Sequence, residues 1–178
     1  MRKLRTTELN RLSVDEFKSS AKIHVVIVLD NIRSQNNIGS VFRTGDAFRI
    51  EAIYLCGITA TPPHREINKT ALGATESVNW KYFGETKAAL ESLRQEDYLL
   101  LGVEQTNASI PLNEFHPDKE KKYALIFGNE VNGLDEALIP FFQECIEIPQ
   151  YGTKHSLNIS VAAGIVVWDI FSKLNYIL

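Results

Sequence analysis

The sequence has little cysteine, no long apolar run, no excess of positive charge and no nucleotide-loop glycine pattern. Each shortage removes a class of protein. Only two cysteines, Cys56 and Cys145, occur in 178 residues. Both sit in or beside apolar stretches, so they read as two buried free thiols rather than a disulfide or a metal site. No metal is expected. No apolar run is long enough to span a bilayer without charge, and the basic start Met1–Arg5 leads into polar residues rather than a secretory core. The expectation is a cytoplasmic protein with no membrane partner. The formal net charge is −3 and the pI is near 5.8, so composition does not announce a strongly basic nucleic-acid binder. A local basic patch stays compatible with that sum, because the field depends on arrangement. Neither a dinucleotide GxGxxG nor a Walker loop is present, and no repeat or low-complexity tract appears.

What is present fits one globular domain with a real core: 44% of residues are hydrophobic and 23% charged. Residues 1–22 read as an N-terminal arm with a short helix from Val14 to Ser19, capped by Ser13 with Asp15 and Glu16 in its first turn. The arm is either mobile or a dimer or substrate arm carrying Arg2, Lys3, Arg5 and Arg11. Residues 23–178 read as a single domain. Strands are predicted over Ile23–Leu29, Ile50–Cys56, Ser77–Phe83, Tyr98–Val103, Tyr123–Phe127 and Ile146–Ile148. Helices are predicted over Ile38–Phe48 with Asn37 as N-cap, His64–Leu72 closed by Gly73, Lys87–Arg94 capped by Thr86, Leu134–Phe142 broken near Pro140, and Ser156 to about Leu174. The last is apolar enough that burial on most sides is expected. Alternating strands and helices predict an α/β fold with a mostly parallel sheet flanked by helices.

Ligands of such sheets sit past the carboxyl ends of strands. Three polar, glycine-containing loops fall there: Asp30 to Gly39, Gly128 to Gly133, and Gln150 to Asn158, with Gly152 free to take positive φ. Each has an ordinary explanation. Arg43 and Arg49 suit salt bridges on a helix face as well as a guanidinium clamp on an anion. Glu130 suits a helix cap or a turn, and Thr153, Ser156 and Asn158 suit local capping. His155 suits a solvated turn better than an acid or base. Those explanations do not account for three such loops after three strands.

In order and spacing, IRSQNNIGSVFRTGDAF, IFGNEVNGL and IPQYGTKHSLNISVA resemble motifs one, two and three of the SpoU/TrmH-type RNA ribose 2′-O-methyltransferases of the SPOUT class. The resemblance spans Asp30 to Asp169. It implies an α/β fold whose C-terminal part forms a deep trefoil knot, which general topology rules would have excluded. It also implies S-adenosylmethionine as cofactor, RNA as substrate, and a homodimer with the active site near the subunit interface. The short flanks resemble the compact tRNA-directed members, with rRNA the other choice. The resemblance assigns catalytic roles to Arg43, Asn37, Glu130, Ser156 and Asn158. It assigns cofactor contacts to Gly128, Asn129, Ile148, Ser156, Leu157 and Asn158, with Val103 and Glu104 completing the pocket. A guanidinium stays protonated in proteins, so Arg43 is expected to act as an electrostatic clamp, oriented by Asn37, rather than as a base. The alternative is a catalytically silent module that binds cofactor and RNA.

Overall fold

A computed structural model of the chain describes residues 1–174, so the last four residues of the expected 23–178 unit lie outside the described residues. The β-branched run Ile23–Asp30 forms β1, an interior strand of the sheet, and all but His24 are buried. Its side chains alternate between two cores. Ile23, Val25, Ile27 and Leu29 face one, Val26 and Val28 the other. Both faces are therefore covered, as an apolar parallel strand requires.

The remaining elements are α1 (Val14–Ser19), α2 (Gln35–Ala47), β2 (Ile50–Cys56), α3 (Arg65–Ala71), α4 (Ala74–Ser77), β3 (Asn79–Phe83), α5 (Thr86–Gln95), β4 (Tyr98–Val103), β5 (Ile110–Pro111), β6 (Lys122–Phe127), a 3-10 turn (Glu136–Phe141), β7 (Glu144–Glu147) and α6 (Ile159–Lys173). Among the described residues, seven strands make one sheet in the order β3-β2-β1-β6-β4-β7-β5, and every pairing is parallel. Leu29 pairs with Phe127, Phe127 with Val103, and Val103 with Ile146. The chain thus leaves β1, β6, β4 and β7 at one level, and their loops emerge side by side. Helices α2, α3 and α6 cover one face, and α5 with the 3-10 turn covers the other. Among the described residues, no helix is long and apolar enough to cross a membrane.

Several sequence expectations are corrected. The N-cap of α2 is Ser34, whose hydroxyl accepts from the Asn37 N–H at 3.3 Å, so the helix begins at Gln35 and Asn37 sits inside its first turn. Ser and Asn cap equally well, and pattern alone did not separate them. Thr86 is the first residue of α5 rather than its cap. Its hydroxyl donates instead to Asp30, whose pKa burial pushes up. The strand predicted from Ser77 begins at Asn79, because Ser77 ends the helical turn Ala74–Ser77. Helix α3 closes on left-handed Leu72, and Gly73 is the N-cap of α4 rather than the C-cap of α3. Strand β7 begins at Glu144 and ends before Ile148. Helix α6 starts at Ile159 behind Asn158 as N-cap, not at Ser156. Among the glycines described, positive φ occurs at Gly57, Gly73 and Gly133, not at Gly152. Within the N-terminal arm, α1 packs on the body: the Ser13–Glu16 capping box forms at its start and Phe17 is buried in the core.

Helix α6 departs most from expectation. Its inner face is buried, but Val161, Ile165 and Trp168 remain 50%, 38% and 56% exposed. Trp168 and Phe171 pack with Phe48 beyond α2 at centroid distances of 5.7 and 5.4 Å. Near its far end, Lys173 donates to the Leu112 and Phe115 carbonyls at 2.6 and 2.9 Å, tying α6 to the loop after β5.

Both cysteines are free and buried, as the sequence predicts. Burial, with help from the Asp30 charge, pushes the Cys56 thiol up to about 12. A thiolate-selective reagent at pH 8 is therefore expected to leave Cys56 unlabelled in the native protein and to label it after denaturation. Stoichiometric labelling of native Cys56 would contradict the packing.

Candidate functional site

The loop after β6 is a closed turn. Asn129 and Gly133 exchange backbone hydrogen bonds at 3.1 and 3.0 Å, and the Asn129 side-chain oxygen accepts from Val131 N–H and Asn132 N–H, both at 2.9 Å. Gly128 permits this closure. A Cβ there would lie 2.1 Å from the Gly133 carbonyl carbon and 2.2 Å from the Leu134 nitrogen. Glu104, just past β4, braces the turn by accepting from Leu134 N–H at 3.1 Å and from Gln105 N–H at 2.8 Å.

Glu130 at the tip of this turn reaches the loop after β1. Its carboxylate accepts from Arg33 N–H and Ser34 N–H, both at 3.2 Å, and from the Asn37 amide at 3.1 Å. A carboxylate only accepts, so Asn37 must turn its NH₂ toward Glu130 and its oxygen away. That oxygen accepts from the Asn158 amide at 3.2 Å. Asn158 then uses its own oxygen to cap α6, accepting from Ser160 N–H at 2.9 Å and from the Ser160 hydroxyl at 2.6 Å. One chain of side chains, Glu130–Asn37–Asn158, therefore joins the loops after β6, β1 and β7. Polar networks of this kind fix geometry when every member is satisfied.

Behind the network lies a cavity of about 660 Å³. The eight residues predicted for cofactor contact, Val103, Glu104, Gly128, Asn129, Ile148, Ser156, Leu157 and Asn158, all line it, together with Glu130 and His155. Among the described residues, four carboxylates line the cavity, those of Glu104, Glu130, Glu136 and Glu147, and no lysine or arginine does. It suits a ligand with a positive centre and an apolar, flat part resting on Leu157, Ile148 and the Gly128 backbone.

Two predicted residues stand apart. Asn37 acts on the cavity through Glu130 and Asn158 rather than by lining it. Arg43 lines a different groove, of about 480 Å³, with Ser40, Thr44, Ala47, Phe48, Lys69 and Thr70. Asn37 therefore does not orient Arg43 as expected, since its side chain is committed elsewhere. The Arg43 guanidinium has no hydrogen-bond or ion-pair partner among the described residues. Arg49 lies beyond α2, with φ of 48°. Gln105 was missed by sequence reasoning: its side chain donates to the His155 carbonyl at 3.2 Å, joining the loops after β4 and β7. No periodicity or motif marks it. The His155 side chain is exposed and makes no hydrogen bond among the described residues.

Burial opposes ionisation of Glu130, but the hydrogen bonds from backbone amides and from Asn37 outweigh it and hold the carboxyl below its ordinary value of 4.5. A depressed carboxylate stabilises the folded state above its unfolded pKa, and that contribution is lost as pH falls through the folded value. The Arg33 and Ser34 amide NMR signals are thus expected to titrate with a midpoint below 4.5, and not to show that step in Glu130→Gln. A midpoint at or above the ordinary value would show that the hydrogen bonds do not hold the charge.

The model of the SpoU rRNA Methylase family matches residues 24–168. A protein of Staphylococcus saprophyticus named as a TrmH family tRNA/rRNA methyltransferase is 26% identical over 164 residues, covering 92% of this chain and 65% of the relative. The chain thus spans less than two thirds of that relative's length. An AdoMet-bound rRNA methyltransferase from Sinorhizobium meliloti superposes with a TM-score of 0.79 at 25% identity, over 93% of this chain and 62% of the other. A structure described as giving insight into 2-OH methylation of C/U34 on tRNA superposes with a TM-score of 0.73 at 24% identity, over 84% of this chain and 95% of the other.

Proposed function

The chain belongs to the SpoU rRNA methylase family and has the fold of SPOUT methyltransferases, and from that premise we propose that it transfers a methyl group from S-adenosylmethionine to a ribose 2′-hydroxyl of tRNA or rRNA. The observation that carries this reading is the Glu130–Asn37–Asn158 network closing a carboxylate-lined cavity where four parallel strands end. The trefoil knot belongs to the same proposal. Strand β7 lies outside β4 while α6 returns to pack on α2, a path consistent with it.

The residues fit the cofactor. S-adenosylmethionine carries a sulfonium and an adenine, and it supplies an electrophilic methyl carbon when bound. The absence of lysine and arginine from the lining, with four carboxylates present, favours a cation. The backbone near Gly128 and Ile148 and the Leu157 side chain form the apolar surface for the base. Glu104 and Gln105 hold the two walls together, so that donor and acceptor can be aligned. Ser156 lines the cavity and its hydroxyl makes no hydrogen bond among the described residues, so it is free to accept from or donate to a ribose. Arg43, as a fixed positive charge, stabilises the oxyanion that develops on the 2′-oxygen and grips an adjacent phosphate.

Arg43 and the cavity lie in different depressions of one chain, and the exposed apolar face of α6 adjoins the Arg43 groove through Phe48. A homodimer with the site near its interface is part of the proposal. We favour tRNA slightly over rRNA as the substrate; a neighbour described for 2-OH methylation of C/U34 on tRNA shares the fold.

Calorimetry with S-adenosylmethionine, ATP and NAD, followed by tritium-methyl transfer to total RNA, tests the reading. Selective binding of S-adenosylmethionine and label in RNA are expected. Selective binding without transfer would leave a silent module, and preference for ATP or NAD would refute the cofactor assignment.

A further inference from the structure

The sign of charge separates the surface depressions of this protein. The cavity assigned to S-adenosylmethionine has four carboxylates and no lysine or arginine. A neighbouring cleft at the ends of β1 and β6 carries Asp30, Asp135 and Glu136 against a single Arg33. The groove between α2 and α3 is the opposite: Arg43 and Lys69 line it, with no carboxylate among its described lining residues. On a chain of net charge −3, this is where a polyanion finds a favourable field.

The groove is built by close helix packing. Gly39 of α2 lies against α3 so tightly that a Cβ would sit 2.2 Å from the Ile67 carbonyl oxygen and 2.2 Å from the Thr70 hydroxyl. The Asn36 carbonyl accepts from the Ser40 and Thr70 hydroxyls, both at 2.9 Å, which pins α3 to the first turns of α2. Those two hydroxyls have spent their protons. The Thr44 hydroxyl has no partner among the described residues and is free to donate. Ser40, Arg43, Thr44 and Ala47 share one face of α2 by helical spacing. That face begins at the turn holding Asn37, and Arg43 lies about 9 Å further along the axis. Lys69 projects from α3 on the other side of the groove. Its ion pair with Glu66, at 3.6 Å with both side chains well exposed, is a weak competitor.

Building on the function proposed above, we infer that the α2/α3 groove holds phosphates of the substrate strand flanking the target ribose, with Lys69 as a second phosphate ligand beside Arg43 and Thr44 as a neutral donor. Lys69 is a positioning residue. It adds affinity for RNA of any sequence and contributes nothing to the methyl-transfer step.

The experiment uses the full chain with tRNA and rRNA purified from cells lacking the gene. RNA affinity is measured from low to moderate salt for wild type, Lys69→Ala, Lys69→Arg and Lys121→Ala, alongside steady-state methyl transfer and S-adenosylmethionine calorimetry. Lys121 directly precedes β6, at the amino-terminal ends of the strands and away from the loops of the site, and controls for loss of one charge. For Lys69→Ala the RNA dissociation constant and KM are expected to rise roughly fivefold, and the slope of log affinity against log salt to fall by about 0.7 to 0.9. Its kcat and cofactor affinity should stay at wild-type values, Lys69→Arg should restore binding, and Lys121→Ala should match wild type. Equal affinity and slope for wild type and Lys69→Ala, with wild type methylating RNA, would overturn this inference alone. Absence of both RNA binding and methyl transfer in wild type would overturn the function proposal together with it.

Discussion

Arg43→Lys is expected to lower the turnover of methyl transfer by about two to three orders of magnitude, the usual cost of removing one preorganised donor to an oxyanion. Its affinity for S-adenosylmethionine should be unchanged. The substitution keeps the charge and loses the planar fork, so it isolates geometry from sign. Cofactor affinity is the internal control, because Arg43 does not line the cavity that Gly128, Ile148 and Leu157 line. The guanidinium is also uncommitted within the described chain, so no structural bond is lost on substitution. A variant that turns over at near-normal rate with normal cofactor affinity would remove the clamp from the mechanism. One that loses cofactor affinity would show that Arg43 holds the site together instead.

The second large effect is expected at Gly128. In Gly128→Ala the added methyl would meet backbone atoms of Gly133 and Leu134 at 2.1 to 2.3 Å. Carbon atoms need roughly 3.5 Å or more, and backbone cannot step aside as a side-chain tip can. The turn must open, which breaks the Asn129–Gly133 pair and pulls Leu134 from Glu104. The expected result is a fall in S-adenosylmethionine affinity of at least about a hundredfold, with a stability loss of roughly 1–3 kcal/mol, typical of an overpacked site. Gly152→Ala is the matching control, because nothing lies within 4 Å of its Cβ position and its φ is not positive. Calorimetry and thermal melts of the two variants check both statements. Unchanged affinity in Gly128→Ala would mean that the turn is not a wall of the cofactor site.

These two glycines show where the sequence was legible. Both stood in polar loops after strands and both looked permissive, yet only one is sterically required, because the requirement comes from a backbone folding back on it. Strands Ile50–Cys56 and Tyr98–Val103 were read with the right limits, since each is an apolar run bounded by glycine or polar residues. The start of α2 was not, because Ser34 and Asn37 are equally good caps. Strand β7 was placed late, because its first residue is the polar Glu144.

At the site, the motifs named Asn37, Glu130 and Asn158, and the structure bonds those three side chains together. Sheet order could not be read from the chain. Strand β6 inserts between β1 and β4, and this brings loops 93 and 121 residues apart into hydrogen-bond contact. The separate groove of Arg43 depends on how closely α2 and α3 pack at Gly39, which no single-helix pattern reveals.

The central claim is transfer to a ribose 2′-hydroxyl of RNA, and mapping 2′-O-methyl groups in total RNA from cells with and without the gene tests it most directly. The account predicts one or a few 2′-O-methylated positions in tRNA or rRNA that vanish without the gene and return with the wild-type protein, but not with Arg43→Lys. An unchanged 2′-O-methyl map, or loss of a base methylation instead, would contradict it.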